Sequence, residues 1–201
     1  SAVEERGGSG LEATFVFPER WNCDSLVPEV DAMAAGASSA PPSRYTWKGF
    51  KDPVNSGKII ERASVAVVDA PSGKAAADLE KIYRTGTIEA IVGNLPSNSL
   101  SELAKADIFR ASTRQDEGGT QYYEWELAAS PATCSEDERK LLGVCPYKRI
   151  TLVSAACVSV EGGDGAGDGT KLVTLTIDSQ VESFQRYAKD IRQGIASFRI
   201  Q

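Results

Sequence analysis

The second half of the chain reads as four β-prone segments in succession, 106–115, 121–129, 148–160 and 171–178, followed by one long amphipathic segment. Two glycine signals punctuate them. Asp116-Glu117-Gly118-Gly119 marks a hairpin turn, and the Gly/Asp tract 161–169 a longer flexible connection. Strands joined in this way run antiparallel. Over 179–198, Val181, Phe184, Tyr187, Ala188, Ile191, Ile195 and Phe198 recur at spacings of three and four, which predicts a helix with one apolar stripe. That stripe must cover a sheet face. Helices that follow strands, rather than alternating with them, indicate an α+β fold in which helices cap or sandwich an antiparallel sheet.

The first half is less regular. Residues 1–12 are polar and glycine-rich and are expected to be a flexible tail ahead of a single domain over 13–201. A short strand is predicted in Ala13-Thr14-Phe15-Val16-Phe17, stopped by Pro18 and followed by Trp21. Residues 22–44 mix Ala, Gly, Ser and Pro without periodicity and read as an insertion. Strands are predicted at 45–50 and 59–69, a helix over 75–90 from Leu79, Ile82 and Tyr83, and a short helix near 99–105.

Charge and composition narrow the function. With 28 acidic and 22 basic residues the net charge is −6, and no Lys/Arg cluster could neutralise a run of phosphates, which argues against nucleic acid. The same balance opposes adhesion to an anionic membrane, although a local basic face is compatible with a negative total. The longest apolar runs, 64–68 and 150–160, are strand-sized and predict a soluble chain. The start, Ser1-Ala2-Val3-Glu4-Glu5-Arg6, resembles neither a signal nor a transit peptide, so any targeting segment is expected to have been removed.

The chain has no histidine. This removes Ser-His-Asp and Cys-His nucleophiles, His-based zinc sites and a histidine switch near neutral pH. No catalytic or cofactor-binding residue is predicted. Carboxylates remain: Asp178, Glu182 and Asp190 read as the wet face of the last helix, and a carboxylate-based small-ligand binder or hydrolase stays as the alternative function. The tract holding Asp164 and Asp168 has the oxygen-rich, glycine-kinked character of a calcium loop without the EF-hand spacing, so both are only weak metal candidates. A calcium-binding module is a further alternative on that basis.

Four cysteines, Cys23, Cys134, Cys145 and Cys157, show neither C-x-x-C nor zinc spacing. Cys134 and Cys145 flank a polar segment and suit a loop-closing disulfide, with reduced thiols as the alternative, while Cys157 sits in an apolar run and reads as a small buried hydrophobe. In Gln121-Tyr122-Tyr123-Glu124-Trp125-Glu126-Leu127, alternation puts Tyr123, Trp125 and Leu127 on one sheet face. Tyr122, Glu124 and Glu126 share the other, which is either a partner surface or lies under a second helix.

Several of these segments together resemble the PsbP family of thylakoid-lumen proteins. Phe15-Val16-Phe17-Pro18-Glu19-Arg20-Trp21 resembles its early strand with the following Pro and Trp. Gly118-Gly119-Thr120-Gln121-Tyr122-Tyr123-Glu124-Trp125-Glu126 resembles its glycine turn into a Tyr-Tyr strand, and the terminal helix closing on Ser197-Phe198 resembles its C-terminal third. The resemblance implies an α-β-α sandwich without catalytic residues. It also implies a chloroplast thylakoid-lumen location and docking on photosystem subunits, of photosystem II or of photosystem I during assembly. Family roles include support of the oxygen-evolving complex, where calcium retention matters. The acidic Glu4 and Glu5, the absence of histidine near Lys148-Arg149 and the cysteine-flanked loop favour a PsbP-like relative over the main extrinsic subunit.

Overall fold

Strands rich in Val, Ile, Thr and small residues build one seven-stranded sheet in the computed structural model of the chain. Residues 11–18, 20–21, 29–32, 43–48, 61–70, 75–96, 100, 105–131, 133–160 and 169–201 are described, with backbone alone at 29–32, 43–48 and 75. In chain order the elements are β1 (Ala13–Thr14), β2 (Glu29–Ala32), β3 (Ser43–Lys48), β4 (Glu61–Ala70), α1 (Ala75–Thr85), α2 (Ile88–Asn94), β5 (Lys105–Gln115) and β6 (Gln121–Ser130). There follow α3 (Glu136–Leu142), β7 (Arg149–Val160), β8 (Gly169–Gln180), α4 (Val181–Ala196) and β9 (Arg199–Ile200).

The sheet order is β2-β3-β4-β8-β7-β6-β5, every neighbouring pair antiparallel. From β4 the chain passes through α1 and α2 to the far edge at β5, and three successive antiparallel pairings return it to β8 beside β4. Register decides the faces. Tyr122, Ala156, Val173 and Val67 form one row across four strands, and Glu126, Leu152, Ile177 and Ala63 form a parallel row four residues further on.

Both rows face α4 and the segment Leu11–Trp21, where Phe15, Phe17, Ile191 and Phe198 fill one core. The opposite face, with Trp125, Leu127, Val153 and Ala155, packs on Leu79 and Ile82 of α1 and Ile91 of α2. The fold is therefore α+β, an antiparallel sheet between helical layers. Close contact on the first face depends on Gly194, because a Cβ there would lie 3.0 Å from Ile177 Cδ1 and 3.2 Å from the Val16 carbonyl.

Several details differ from the sequence reading. The helix expected over 75–90 is two helices, because Gly86 adopts φ +64° after its N–H closes on the Ile82 carbonyl, and Thr87 then caps α2 by accepting from Ala90 N–H. Within 22–44, residues 29–32 form an edge strand. Beyond β1, which ends at Thr14, Phe15, Phe17 and Trp21 pack into the core, and Leu11 and Glu12, read as tail, belong to the fold. Leu11 is buried, and Glu12 exchanges two 2.8 Å backbone hydrogen bonds with Gln201. Of the helix expected near 99–105, Leu100 is helical and buried, Lys105 already belongs to β5, and the rest lies outside the described residues.

One polar cluster ties the layers together. Glu61 opens β4 on the core-facing phase of Ala63 and Val65, and its carboxylate is buried. It accepts from Arg20 Nη2 at 2.5 Å, Trp21 Nε1 at 2.6 Å, Ser183 Oγ at 2.5 Å and Ser179 Oγ at 3.3 Å. Arg20 also reaches Asp190 at 3.4 Å and lies 4.1 Å over the ring of Tyr187, the residue at which α4 leaves helical geometry. Removing this acid strands a nearly buried guanidinium, an indole N–H and a hydroxyl. Glu61→Ala is therefore expected to lower unfolding free energy by about 3 to 5 kcal/mol in urea titration; a loss under about 1 kcal/mol would show the cluster to be incidental.

Candidate functional site

The face of β6 that carries Tyr122, Glu124 and Glu126 is covered in the folded chain. Tyr122 is 0% exposed and Glu126 is buried. The Tyr122 hydroxyl donates to Asp116 Oδ2 at 2.9 Å and accepts from Ile200 N–H at 2.9 Å, while its ring meets Phe198 edge-on. Arg114 lies 3.8 Å over the same ring, donates to Glu124 at 2.6 Å and to the Phe198 carbonyl at 2.6 Å. Glu126 accepts two 2.9 Å hydrogen bonds from Arg192 of α4. Tyr122, Glu124 and Glu126 thus fasten the β5–β6 hairpin to α4 and β9, and the face lies under a second helix rather than facing a partner.

Burial first, and then the hydrogen bond to Asp116, push the Tyr122 hydroxyl up to about 12. Asp116 is held below its usual value, since the bonds from Tyr122, Thr120 and Gly118 outweigh the upward effect of burial. Asp178, buried like Glu61 and Glu126, accepts from Thr151 Oγ1 at 2.6 Å. Glu124 and Glu126 do line a hollow of about 130 Å³, but each is engaged by an arginine there. No group of three or more metal-ligating residues converges among the described residues, and Asp164 and Asp168 lie outside them.

The exposed side of the molecule offers something different. Ser135 caps α3 in a full capping box: Glu138 N–H donates to Ser135 Oγ at 3.2 Å and Ser135 N–H to Glu138 Oε2 at 3.1 Å. Cys134 and Cys145 are joined in a disulfide, Cα to Cα 5.6 Å, which clips this helix and its turn into a closed knob on the sheet edge. Ser130 Oγ donates to the Cys145 carbonyl at 3.0 Å, and Lys148 N–H to the Ala129 carbonyl at 2.9 Å, anchoring the base. The pair Lys148 Nζ to Glu138 Oε1, 2.6 Å, braces it from outside, raising the lysine and lowering the acid. Cys157 packs half-buried against the α1 side, where burial and then Asp78 push its thiol up to about 11, so it is unreactive near neutral pH.

On this knob apolar side chains face outward: Leu141 is 83% exposed, Leu142 53% and Val144 67%. Beside it, the register of β5 slips between Ile108 and Arg110, a bulge that leaves Phe109 out of the ladder and 56% exposed. Phe109 and Tyr147 meet at 5.3 Å edge to face, and the Tyr147 hydroxyl donates to Asp107, which raises its pKa. A groove of about 430 Å³ between knob and strand is lined by Lys105, Asp107, Ser130, Arg139 and Tyr147. Contiguous exposed apolar side chains with a polar rim mark a contact surface. None of these residues stood out in the sequence, although Ser135-Glu136-Asp137-Glu138 carries the capping-box spacing that signals α3.

An α+β sandwich whose interior acids are engaged internally and whose apolar surface is at one edge defines the class. The chain belongs to the PsbP family, whose model matches residues 14–200. Among solved structures it is similar to the solution structure of cyanobacterial PsbP (CyanoP) from Synechocystis sp. PCC 6803. The TM-score is 0.52 at 16% identity, with 100% of this chain and 92% of that one covered, a likeness of fold. LpqN, involved in cell envelope biogenesis of Mycobacterium tuberculosis, aligns at a TM-score of 0.45 and 12% identity over 100% of this chain and 90% of that one, too low to define a shared fold. No curated protein sequence matches the chain.

Two outcomes follow from this geometry. The Tyr122 proton is held more tightly in the folded chain than in the unfolded one. The associated stability is therefore complete below pH 10 and declines as pH rises from 10 toward about 12. Melting scans should show a steeper fall over that window for the native chain than for Tyr122→Phe, which at neutral pH should be less stable by about 1 to 3 kcal/mol; parallel curves would contradict the assignment. Reduction of Cys134–Cys145 releases a loop closure worth roughly 3 kcal/mol. Hydrogen exchange should then accelerate across 135–144 while β6, β7 and β8 keep their protection, and uniform acceleration would mean the clip supports the whole fold.

Proposed function

We propose that this chain is a non-catalytic protein of the chloroplast thylakoid lumen that docks on the lumenal face of a photosystem. The match to the PsbP family from residue 14 to 200 carries this reading, since members of that family are generally non-catalytic and lumenal. The engaged carboxylates and the exposed edge of β5 agree with it. Interior acids held by Arg114, Arg192 and Arg20 build the scaffold, while the bulged edge with Phe109 and Tyr147 offers aromatic area for a protein partner. Its role is that of an extrinsic photosystem II type subunit, in support of the oxygen-evolving complex, or of a PsbP-like assembly and stability factor. The cysteine-clipped knob favours the PsbP-like relative.

A photoreactive amino acid placed at Phe109 of the full chain, irradiated in intact thylakoids, tests this directly. Covalent capture of a lumenal photosystem subunit is the expected result, in mature complexes for a subunit and in intermediates for an assembly factor. Recovery of no photosystem component would sink the proposal.

A further inference from the structure

The groove between the knob and the first residues of β5 has walls of two kinds. Val144, Pro146 and the Tyr147 ring make the apolar wall, with Pro131 just past β6. The polar groups divide into those already engaged and those that are not. Ser130 Oγ donates to the Cys145 carbonyl at 3.0 Å, and Asp107, the one acid among the lining residues, accepts from the Tyr147 hydroxyl. Lys105 and Arg139 also line the groove, and neither side chain has a hydrogen-bond or ion-pair partner among the described residues. The unmet groups are thus donors beside apolar surface: an ammonium and a guanidinium next to a ring and an aliphatic side chain.

We infer that this groove binds a small organic acid, one carboxylate on an apolar body. The carboxylate accepts from Lys105 Nζ and the Arg139 guanidinium, and the body lies against Tyr147, Val144 and Pro146. At about 430 Å³ the groove is within the size range of small-molecule clefts, and a few polar groups beside apolar lining is their usual make-up. Both free groups are cationic donors, so an anionic acceptor suits both at once, and charge-assisted bonds of this kind are the stronger ones. Asp107 does not cancel them: the lining holds two cations and one carboxylate, a net charge of +1 in a chain of −6. A bare inorganic anion would leave the apolar wall wet, and an uncharged apolar molecule would leave both cations unmet. Strand β5 contributes only Lys105 and Asp107, a length of about 7 Å, which suits a compact molecule rather than an extended chain. The walls are also built before the ligand arrives. The Arg139 carbonyl accepts from Gly143 N–H at 2.9 Å, Cys145 is tied to Cys134, and Tyr147 is held by Asp107 and Phe109. Binding therefore has little backbone order left to impose.

This inference goes beyond docking on a photosystem and is tested without one. The full oxidised chain is titrated with naphthoate and followed by NMR, with naphthamide as the uncharged match and acetate as the carboxylate without a body. Naphthoate should shift Lys105, Ser130, Val144 and Tyr147 as one saturable set. It should bind ~10-fold or more tighter than either control. Arg139→Gln and Lys105→Gln should each weaken it by about 5-fold or more, and added salt should weaken it further, while Arg84→Gln on α1 leaves it unchanged. Both groove variants alter exposed side chains and should melt like the parent. The absence of saturable naphthoate binding would overturn the inference, as would shifts scattered over the surface. So would naphthamide or acetate binding as tightly as naphthoate, or parent-level binding by both groove variants. An acidic peptide carrying phenylalanine that bound the same residues more tightly than naphthoate would also overturn it, giving the groove to a protein partner. None of these results bears on photosystem capture through Phe109, so the two readings fail separately.

Discussion

The Glu61 carboxylate is the point on which the three layers meet. It sits at the start of β4, but its partners come from the N-terminal segment, the end of β8 and the first turn of α4. A buried ion pair of this kind contributes little net stability, because desolvation of both charges offsets their attraction. Its effect is on specificity. A carboxylate with Arg20, an indole N–H and two hydroxyls around it tolerates one arrangement of those elements, whereas an apolar contact would tolerate several. Once Arg20 and Trp21 are seated, Phe15 and Phe17 are delivered to the sheet, Leu11 is buried, and β1 is brought beside β9.

The same logic repeats at the other end of the core. Tyr122 and Arg114 hold the carbonyl of Phe198 and the N–H of Ile200, so the end of the described chain is fixed by side chains from the β5–β6 hairpin. Arg192 and Glu126 join α4 to β6 between these two points. Polar groups on the α4 face therefore serve as fasteners. Among the described residues, the most exposed large apolar side chains gather at the sheet edge and the knob, at Phe109, Leu141, Leu142 and Val144.

Much of the scaffold was legible in the sequence, because period-two and period-3.6 patterns report burial directly. The α4 stripe and the two faces of β6 came from periodicity alone. What failed was local punctuation overridden by context. Gly86 lies inside the window that reads as one helix, and its left-handed φ turns it into a stop. Glu61 was readable in principle, since a charge in phase with Ala63 and Val65 demands a buried partner, but the partner lies 41 residues earlier. The disagreement over Tyr122, Glu124 and Glu126 has a similar cause. Alternation assigns a face but not what covers it, and the covering arginines come from β5 and α4. The exposed surface was least legible of all. A bulge depends on the register of two strands, so nothing in the run Ile108-Phe109-Arg110 announces that Phe109 leaves the ladder.

The knob shows why exposed apolar residues need a covalent clip here. A helix of seven residues is far below the length at which helices persist alone in water, and α3 buries no side chain against the core. Its order must come from its ends: the capping box at Ser135 and the cystine between Cys134 and Cys145. Without them Leu141 and Leu142 would belong to a loose loop able to fold back on the groove that Val144, Pro146 and Tyr147 line. Held at both ends, the loop cannot hide them. The disulfide and the capping box thus hold Leu141 and Leu142 in an ordered, exposed position at the sheet edge.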